Sequence, residues 1–167
     1  CVHYIAVGRI CPQKDYRTLI KAFALVLEKE PKSHLDIIGV DWDMAYRKSL
    51  DALIMQLDIG RSVTFHGFQE NPFKYMEAAD VFVLSSVHEG LPNVMLEAMY
   101  LGKPVVVTRS IPYIAQVVHD GVNGYAVSVD GCKELAEAMI KARRLEIKEK
   151  YMDVNSSEKQ IIDLFTE

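Results

Sequence analysis

The stretch VHYIAVGRICPQKDYRTLIKAFALVLEKE, Val2–Glu30, carries the pattern on which the reading of the fold turns. An apolar run with β-branched and aromatic residues ends at Gly8, and a polar loop follows. Tyr16–Glu30 then places Leu19, Ile20, Phe23, Val26 and Leu27 at helical spacing. A buried strand, a loop and an amphipathic helix in about 30 residues are the unit from which parallel sheets are built.

The unit recurs along the chain. HLDIIG precedes a helix over about Met44–Leu57, and SVTFHG precedes a short helix opened by Asn71-Pro72. DVFVLSS precedes the helix in LPNVMLEAMYLG, where Pro92 suits a first helical position and Gly102 a C-terminal stop. PVVVT precedes a short helix near Ile114–Val118, and GYAVSV precedes a helix from about Lys133 to Arg144. Strands alternating with helices predict an α/β fold with a parallel sheet covered on both faces. A (β/α)₈ barrel needs about 250 residues and two more units. The expectation is therefore an open, doubly wound, Rossmann-like sheet of about six strands over residues 1–145. Residues 146–167 are expected to form a polar helical tail whose apolar stripe, Ile161, Ile162, Leu164 and Phe165, needs a surface to pack on.

Composition narrows the function. Of 167 residues, 50% are hydrophobic and 25% charged, as in one globular domain with a buried core, and the formal net charge of −4 offers no nucleic-acid footprint. The basic residues of KARRLEIKEK alternate with acids and read as a solvated helix face. Cys1, Cys11 and Cys132 are odd in number and lack metal-binding spacing, as do the five histidines, so neither a disulfide framework nor a metal site is expected. A reducing, cytoplasmic setting follows. No apolar run reaches the roughly 18 residues of a membrane span, and no signal peptide is evident. A first residue Cys1, with a strand at once behind it, is the pattern of a domain cut from a longer chain.

In open parallel sheets ligands sit at the carboxyl ends of strands, so the loops after strands are where chemistry is sought. The first, GRICPQKD, lacks the G-x-G-x-x-G of a dinucleotide site; Gly8 stands alone, with Arg9 and Lys14 beside a helix start. A guanidinium and an ammonium there suit a diphosphate, although two basic residues alone read more readily as surface charge. The loop VHEGL offers Glu89, and the helix behind it offers the backbone N–H groups of Leu91, Asn93 and Val94 at its positive end. Asn93, Glu97 and Tyr100 share one polar stripe of that helix, opposite Val94, Met95, Ala98, Met99 and Leu101. Glu97 lies about 7–8 Å from the helix start at a rise of about 1.5 Å per residue, close enough to hold a ribose diol while phosphates occupy the helix mouth. On residues alone, Glu97 is as well read as a solvated helix glutamate and Glu89 as a loop charge near the dipole. Gly39 marks a turn or a close ligand approach, and Phe68 stacks a base or belongs to the core. Asn123-Gly124 reads as a turn.

Three segments then resemble a known family: GRICPQKDYRTLIKAFALV (Gly8–Val26), VTFHGFQENPFKYMEAADVFVLSSVHEGLPNVMLEAMYLGKPVVVT (Val63–Thr108) and VVHDGVNGYAV (Val117–Val127). They are similar to the C-terminal, nucleotide-sugar-binding half of GT-B glycosyltransferases, in particular the retaining family 4. The likeness runs from about Tyr4 to Ala142 and includes an E-x7-E pattern, Glu89 and Glu97, with G-L-P-N between. It implies transfer of a sugar from a nucleoside-diphosphate donor, UDP or GDP, to a glycan, lipid or small-molecule acceptor with retention and without a metal or other cofactor. Arg9 and Lys14 would bind the diphosphate and stabilise the leaving group. Glu97 would hold the ribose, Glu89 would sit beside the donor sugar, and Gly8, Gly90, Leu91, Pro92, Asn93, Val94 and Phe68 would line the donor site. The family's G-x-G after strand two is replaced by GVDWD, where Trp42 stands. The acceptor would be met by a missing N-terminal domain, on which the tail could also pack. The whole protein would then work in the cytoplasm, or at the inner membrane face. The fragment alone would bind nucleotide without turnover. Two other readings accommodate the same fold: a non-catalytic nucleotide-binding or regulatory module, and a GT-B epimerase or phosphorylase.

Overall fold

The computed structural model describes residues 1–147. Six strands, β1 (His3–Val7), β2 (His34–Ile38), β3 (Val63–Phe65), β4 (Val81–Leu84), β5 (Val105–Thr108) and β6 (Gly124–Val127), form one parallel sheet in the order β3-β2-β1-β4-β5-β6. Helices α1 (Tyr16–Lys29), α2 (Met44–Gln56), α3 (Phe73–Ala78), α4 (Asn93–Tyr100), α5 (Ile114–Val117) and α6 (Cys132–Ala142) each follow one strand. The expected doubly wound architecture is the observed one. The tail expected over 146–167 lies, from residue 148 onward, outside the described residues.

The period of two along each strand divides the core. Tyr4, Ala6, Leu35, Ile37, Val83 and Val106 face α1, α2 and α6. Ile5, Ile38, Phe82, Leu84, Val105 and Val107 face α3, α4 and α5. Because both faces are covered, β4 and β5 are buried at every position, which is why their sequences read as unbroken apolar runs.

Local chemistry sets the helix ends. Asp15 adopts a left-handed conformation (φ 45°) and its carboxylate accepts the Thr18 N–H at 3.1 Å, opening α1. Asp43 caps α2 in the same way through the Tyr46 N–H. Gly102, at φ 72°, terminates α4 as expected, but Pro92 stands at the cap, one residue before the first helical position. At the other end of the chain α6 stops at Ala142, so the basic segment is not one continuous solvated helix face. Arg143 instead pairs with the largely buried Glu30 at 2.6 Å, and Glu30 also accepts the Tyr4 hydroxyl at 3.3 Å. This ties the end of α6 to the end of α1, and burial with the Glu30 charge pushes the Tyr4 hydroxyl far above its usual range.

Two glycines at strand ends are fixed by close backbone contact. Gly39 is pressed on the chain beside it: a Cβ built there would lie 1.9 Å from the Gly8 carbonyl oxygen. Its hydrogen is what lets the ends of β1 and β2 close together. Gly124 is likewise pressed on β5, with its Cβ position 2.0 Å from the Val105 oxygen, while Asn123 holds the preceding turn through the Val117 carbonyl and the His119 N–H. The histidines also assemble in a way their spacing concealed. His66 contacts Asp36 at 2.6 Å, with His3 and His34 at 3.6 and 3.8 Å from the same carboxylate.

Gly39→Ala is expected to lower stability by about 3 kcal/mol or more, the upper range for overpacking against backbone that cannot yield. Gly90→Ala, whose Cβ meets nothing within 4 Å, should stay within about 0.5 kcal/mol of the parent. Urea denaturation of both variants, monitored by circular dichroism, measures the contrast.

Candidate functional site

The strand order reverses direction between β1 and β4. The chain leaves β1 toward α1 on one face of the sheet and leaves β4 toward α4 on the other. The two connections diverge, so a crevice opens at the carboxyl ends of these neighbouring strands. The loops that line it are Gly8–Asp15 and Ser85–Pro92, the two that the sequence singles out.

These loops are stitched together. Val87 N–H donates to the Gln13 carbonyl at 3.0 Å, and the Gln13 side-chain amide donates to the His88 carbonyl at 2.8 Å. The Ser85 hydroxyl lies 2.9 Å from the Lys14 carbonyl oxygen and 3.1 Å from that of Asp15. Tyr16, buried under β1, donates its hydroxyl to the Gly8 carbonyl at 2.9 Å, and burial raises the energy of losing that proton.

Within this frame Lys14, on a short 3-10 turn (Pro12–Lys14), reaches Glu89 with Nζ 2.5 Å from Oε1. Both side chains are largely withdrawn from water, 14% and 8% exposed. The loop-charge reading of Glu89 is therefore replaced by a buried carboxylate. The Ser86 hydroxyl donates to the same Oε1 at 2.5 Å, and Thr108 of β5 donates to the Ser86 carbonyl at 2.5 Å. Ser86 and Thr108 are essentially inaccessible. Sequence reasoning passed over Ser86, Thr108, Gln13 and Tyr16. The only signal was two small hydroxyl residues, Ser85-Ser86, where an apolar strand ends.

Arg9 is exposed and does not join Lys14 in the ion pair. Its guanidinium lies over the ring of Trp42, 5.0 Å from the centroid, across the loop that follows β2. That loop is fixed to the Gly8 loop by Ile10 N–H to the Val40 carbonyl and Asp43 N–H to the Ile10 carbonyl, at 2.8 and 3.1 Å. Gly90, Leu91 and Asn93 are exposed, Pro92 is buried and Val94 is half-buried. The Asn93 N–H, expected to be an unpartnered donor, is taken by the Leu91 carbonyl at 2.9 Å. Phe68 is 74% exposed at the end of β3 and is not a core residue.

Glu97 stands in the second turn of α4, half-buried, and burial raises its carboxyl above the usual range. The site thus presents a cation–carboxylate pair in the crevice, a guanidinium on the rim and a second carboxylate one turn into the adjoining helix. Among the described residues, no group of three or more histidine, cysteine, aspartate or glutamate side chains is placed to hold a metal ion, and no helix is long and apolar enough to cross a membrane.

A model of the family described as glycosyl transferases group 1 matches residues 3–159. The chain belongs to that family. The lipopolysaccharide core biosynthesis glycosyltransferase LpsE of Rhizobium meliloti is 36% identical over 135 residues, which cover 81% of this chain and 37% of LpsE. The crystal structure of Anabaena HepE in complex with UDP and glucose superposes with a TM-score of 0.75 at 28% identity, over 84% of this chain and 40% of HepE. The C-terminal domain of a group 1 family protein from Francisella tularensis gives a TM-score of 0.75 at 25% identity, over 89% of this chain and 81% of that domain. The fold is that of the C-terminal, Rossmann-like half of GT-B glycosyltransferases. The matched region spans under two fifths of LpsE.

Three substitutions test the electrostatics of this group 1 domain. Lys14→Met leaves Glu89 buried without its counter-charge and should cost about 3 kcal/mol, near the lower end for breaking a buried pair because Ser86 remains. Lys14→Met/Glu89→Gln should recover most of that loss in the same denaturation assay. For Glu97 the folded carboxyl binds its proton more tightly than the unfolded one. Its contribution is thus neutral at acid pH and becomes destabilising as pH rises through the unfolded and then the folded value. Glu97→Gln should therefore raise the melting temperature at pH 7 and leave it unchanged well below pH 4, as scanning calorimetry would show.

Proposed function

We propose that this chain is the donor-binding half of a retaining, family 4-type glycosyltransferase that moves a hexosyl unit from a nucleoside-diphosphate sugar. The observation that carries the reading is the meeting of Lys14 and Glu89 across the β1/β4 crevice, at 2.5 Å, with α4 and Glu97 starting from the same loop. A diphosphate entering there finds a lysine ammonium, the Arg9 guanidinium and the amino end of α4, all of which favour negative charge. Stabilising the departing nucleoside diphosphate is the main electrostatic demand of such a transfer, and two cations can meet it without a metal. Glu97 accepts the ribose hydroxyls, and Glu89 lies on the sugar side. Gly8, Gly90, Leu91, Pro92, Asn93 and Val94 form the walls, with Phe68 beside the base.

Uridine is the favoured base, because HepE, a structural relative, holds UDP and glucose. The acceptor class is a glycan or lipid-linked glycan, by likeness to LpsE, and it is met by an N-terminal domain outside the 167 residues. The enzyme works in the cytoplasm or at the inner face of the membrane. The isolated half binds nucleotide and turns over no sugar; product formation by it would overturn that last point. A non-catalytic binding module is the second reading. The buried, doubly bonded Glu89 disfavours it, since a module that only holds nucleotide has no use for a carboxylate on the sugar side.

A thermal-shift screen of UDP-, GDP- and ADP-sugars decides the base: a ligand at about 100 times its Kd adds about 2.7 kcal/mol to the folded state. UDP compounds are expected to give the largest shift, and no shift with any of the three would refute the donor site. By calorimetry, Arg9→Ala should weaken UDP binding about 5- to 150-fold, the scale of one charge-assisted hydrogen bond. Glu97→Ala should weaken UDP binding while sparing inorganic pyrophosphate.

A further inference from the structure

The carboxylate of Glu89 is held from two directions at one oxygen. Lys14 Nζ and Ser86 Oγ both reach Oε1 at 2.5 Å, and among the described residues Oε2 takes no bond. The two holds differ in kind. Lys14 arrives from the β1 loop on a flexible stem, and its ammonium is the group a diphosphate attracts. Ser86 sits three residues before Glu89, fully buried, and its own backbone is held from β5 by the Thr108 hydroxyl at 2.5 Å. If Lys14 were the only partner, anion binding would draw away the charge that fixes Glu89 and leave a buried carboxylate unpaired, a costly state.

We infer that Ser86 and Thr108 are positioning residues: Thr108 fixes the Ser86 backbone, and Ser86 fixes Glu89 Oε1 so that Glu89 keeps its orientation toward the donor sugar when the diphosphate engages Lys14. The two residues touch neither sugar nor phosphate. Their effect is confined to the sugar end of the donor, while diphosphate affinity rests on Lys14 and Arg9. The inference rests on the donor-site reading above.

The test is calorimetric titration of the 167-residue chain with UDP and with UDP-glucose. Ser86→Ala and the near-isosteric Thr108→Val remove one hydroxyl each, and Thr108→Ser keeps it. Both hydroxyl-deficient variants should bind UDP within about twofold of the parent and lose about 3- to 10-fold in UDP-glucose affinity relative to UDP, the worth of one hydrogen-bonded anchor. Thr108→Ser should restore the ratio. A merely structural role would lower the melting temperature and both affinities in parallel, and that result overturns the inference. So does a parent chain that binds UDP but rejects UDP-glucose. A parent chain that binds neither overturns the donor reading and this inference with it, whereas a normal parent with unchanged ratios in both variants overturns the positioning role alone.

Discussion

Everything at the carboxyl edge of this sheet depends on one topological constraint: β1 and β4 are neighbours whose following helices pack on opposite faces. Parallel neighbours must each send the chain back over the sheet, and where the return direction switches, no helix can roof the strand ends. The opening has to be lined by loops, and loop backbone buried without partners is expensive. The chain meets that demand by bonding the two loops to each other through Gln13, Val87, His88 and Ser85. A rigid crevice is thus a consequence of satisfying backbone groups, before any ligand is considered.

The Lys14–Glu89 pair follows from the same confinement. Two charges brought into a crevice with little water need each other, and their mutual attraction offsets part of what desolvation costs. Such a pair contributes little net stability compared with apolar packing. Its value lies elsewhere: a lysine already stripped of water, and already near a place where an anion can sit, needs less reorganisation to bind one. The arrangement keeps a cation and a carboxylate together, largely withdrawn from water, in the crevice.

The fold was largely legible because its determinants are local. Alternation of apolar strands with amphipathic helices, Asp15 and Asp43 before helices and Gly102 after one are all signals within a few residues of their effect. The loops that carry the site were legible for the same reason, since their position follows from strand order. Pair geometry was not. Lys14 and Glu89 are 75 residues apart, as are Gln13 and His88, and nothing in either neighbourhood announces the other. Nor does the sequence show that Arg9 lies over Trp42 while Lys14 turns to Glu89. Gly39 reads from the sequence as a turn or a ligand approach because the Gly8 carbonyl it packs on, just after β1, is remote in the chain.

Trp42 shows how an aromatic ring can fix a charged neighbour in physical terms. After the second strand this chain carries a large ring, 66% exposed. It cannot offer the close backbone approach a glycine permits. What it does offer is a face for the Arg9 guanidinium, which would otherwise sample many rotamers in solvent. Holding an arginine on an aromatic surface limits its freedom without consuming its hydrogen-bond donors, because the stacking uses the guanidinium face and leaves the N–H edge available. The loop after β2 is itself bonded to Ile10, one residue from Arg9, so ring and guanidinium are carried by one rigid unit. The ring therefore supplies side-chain preorganisation at the rim of the crevice.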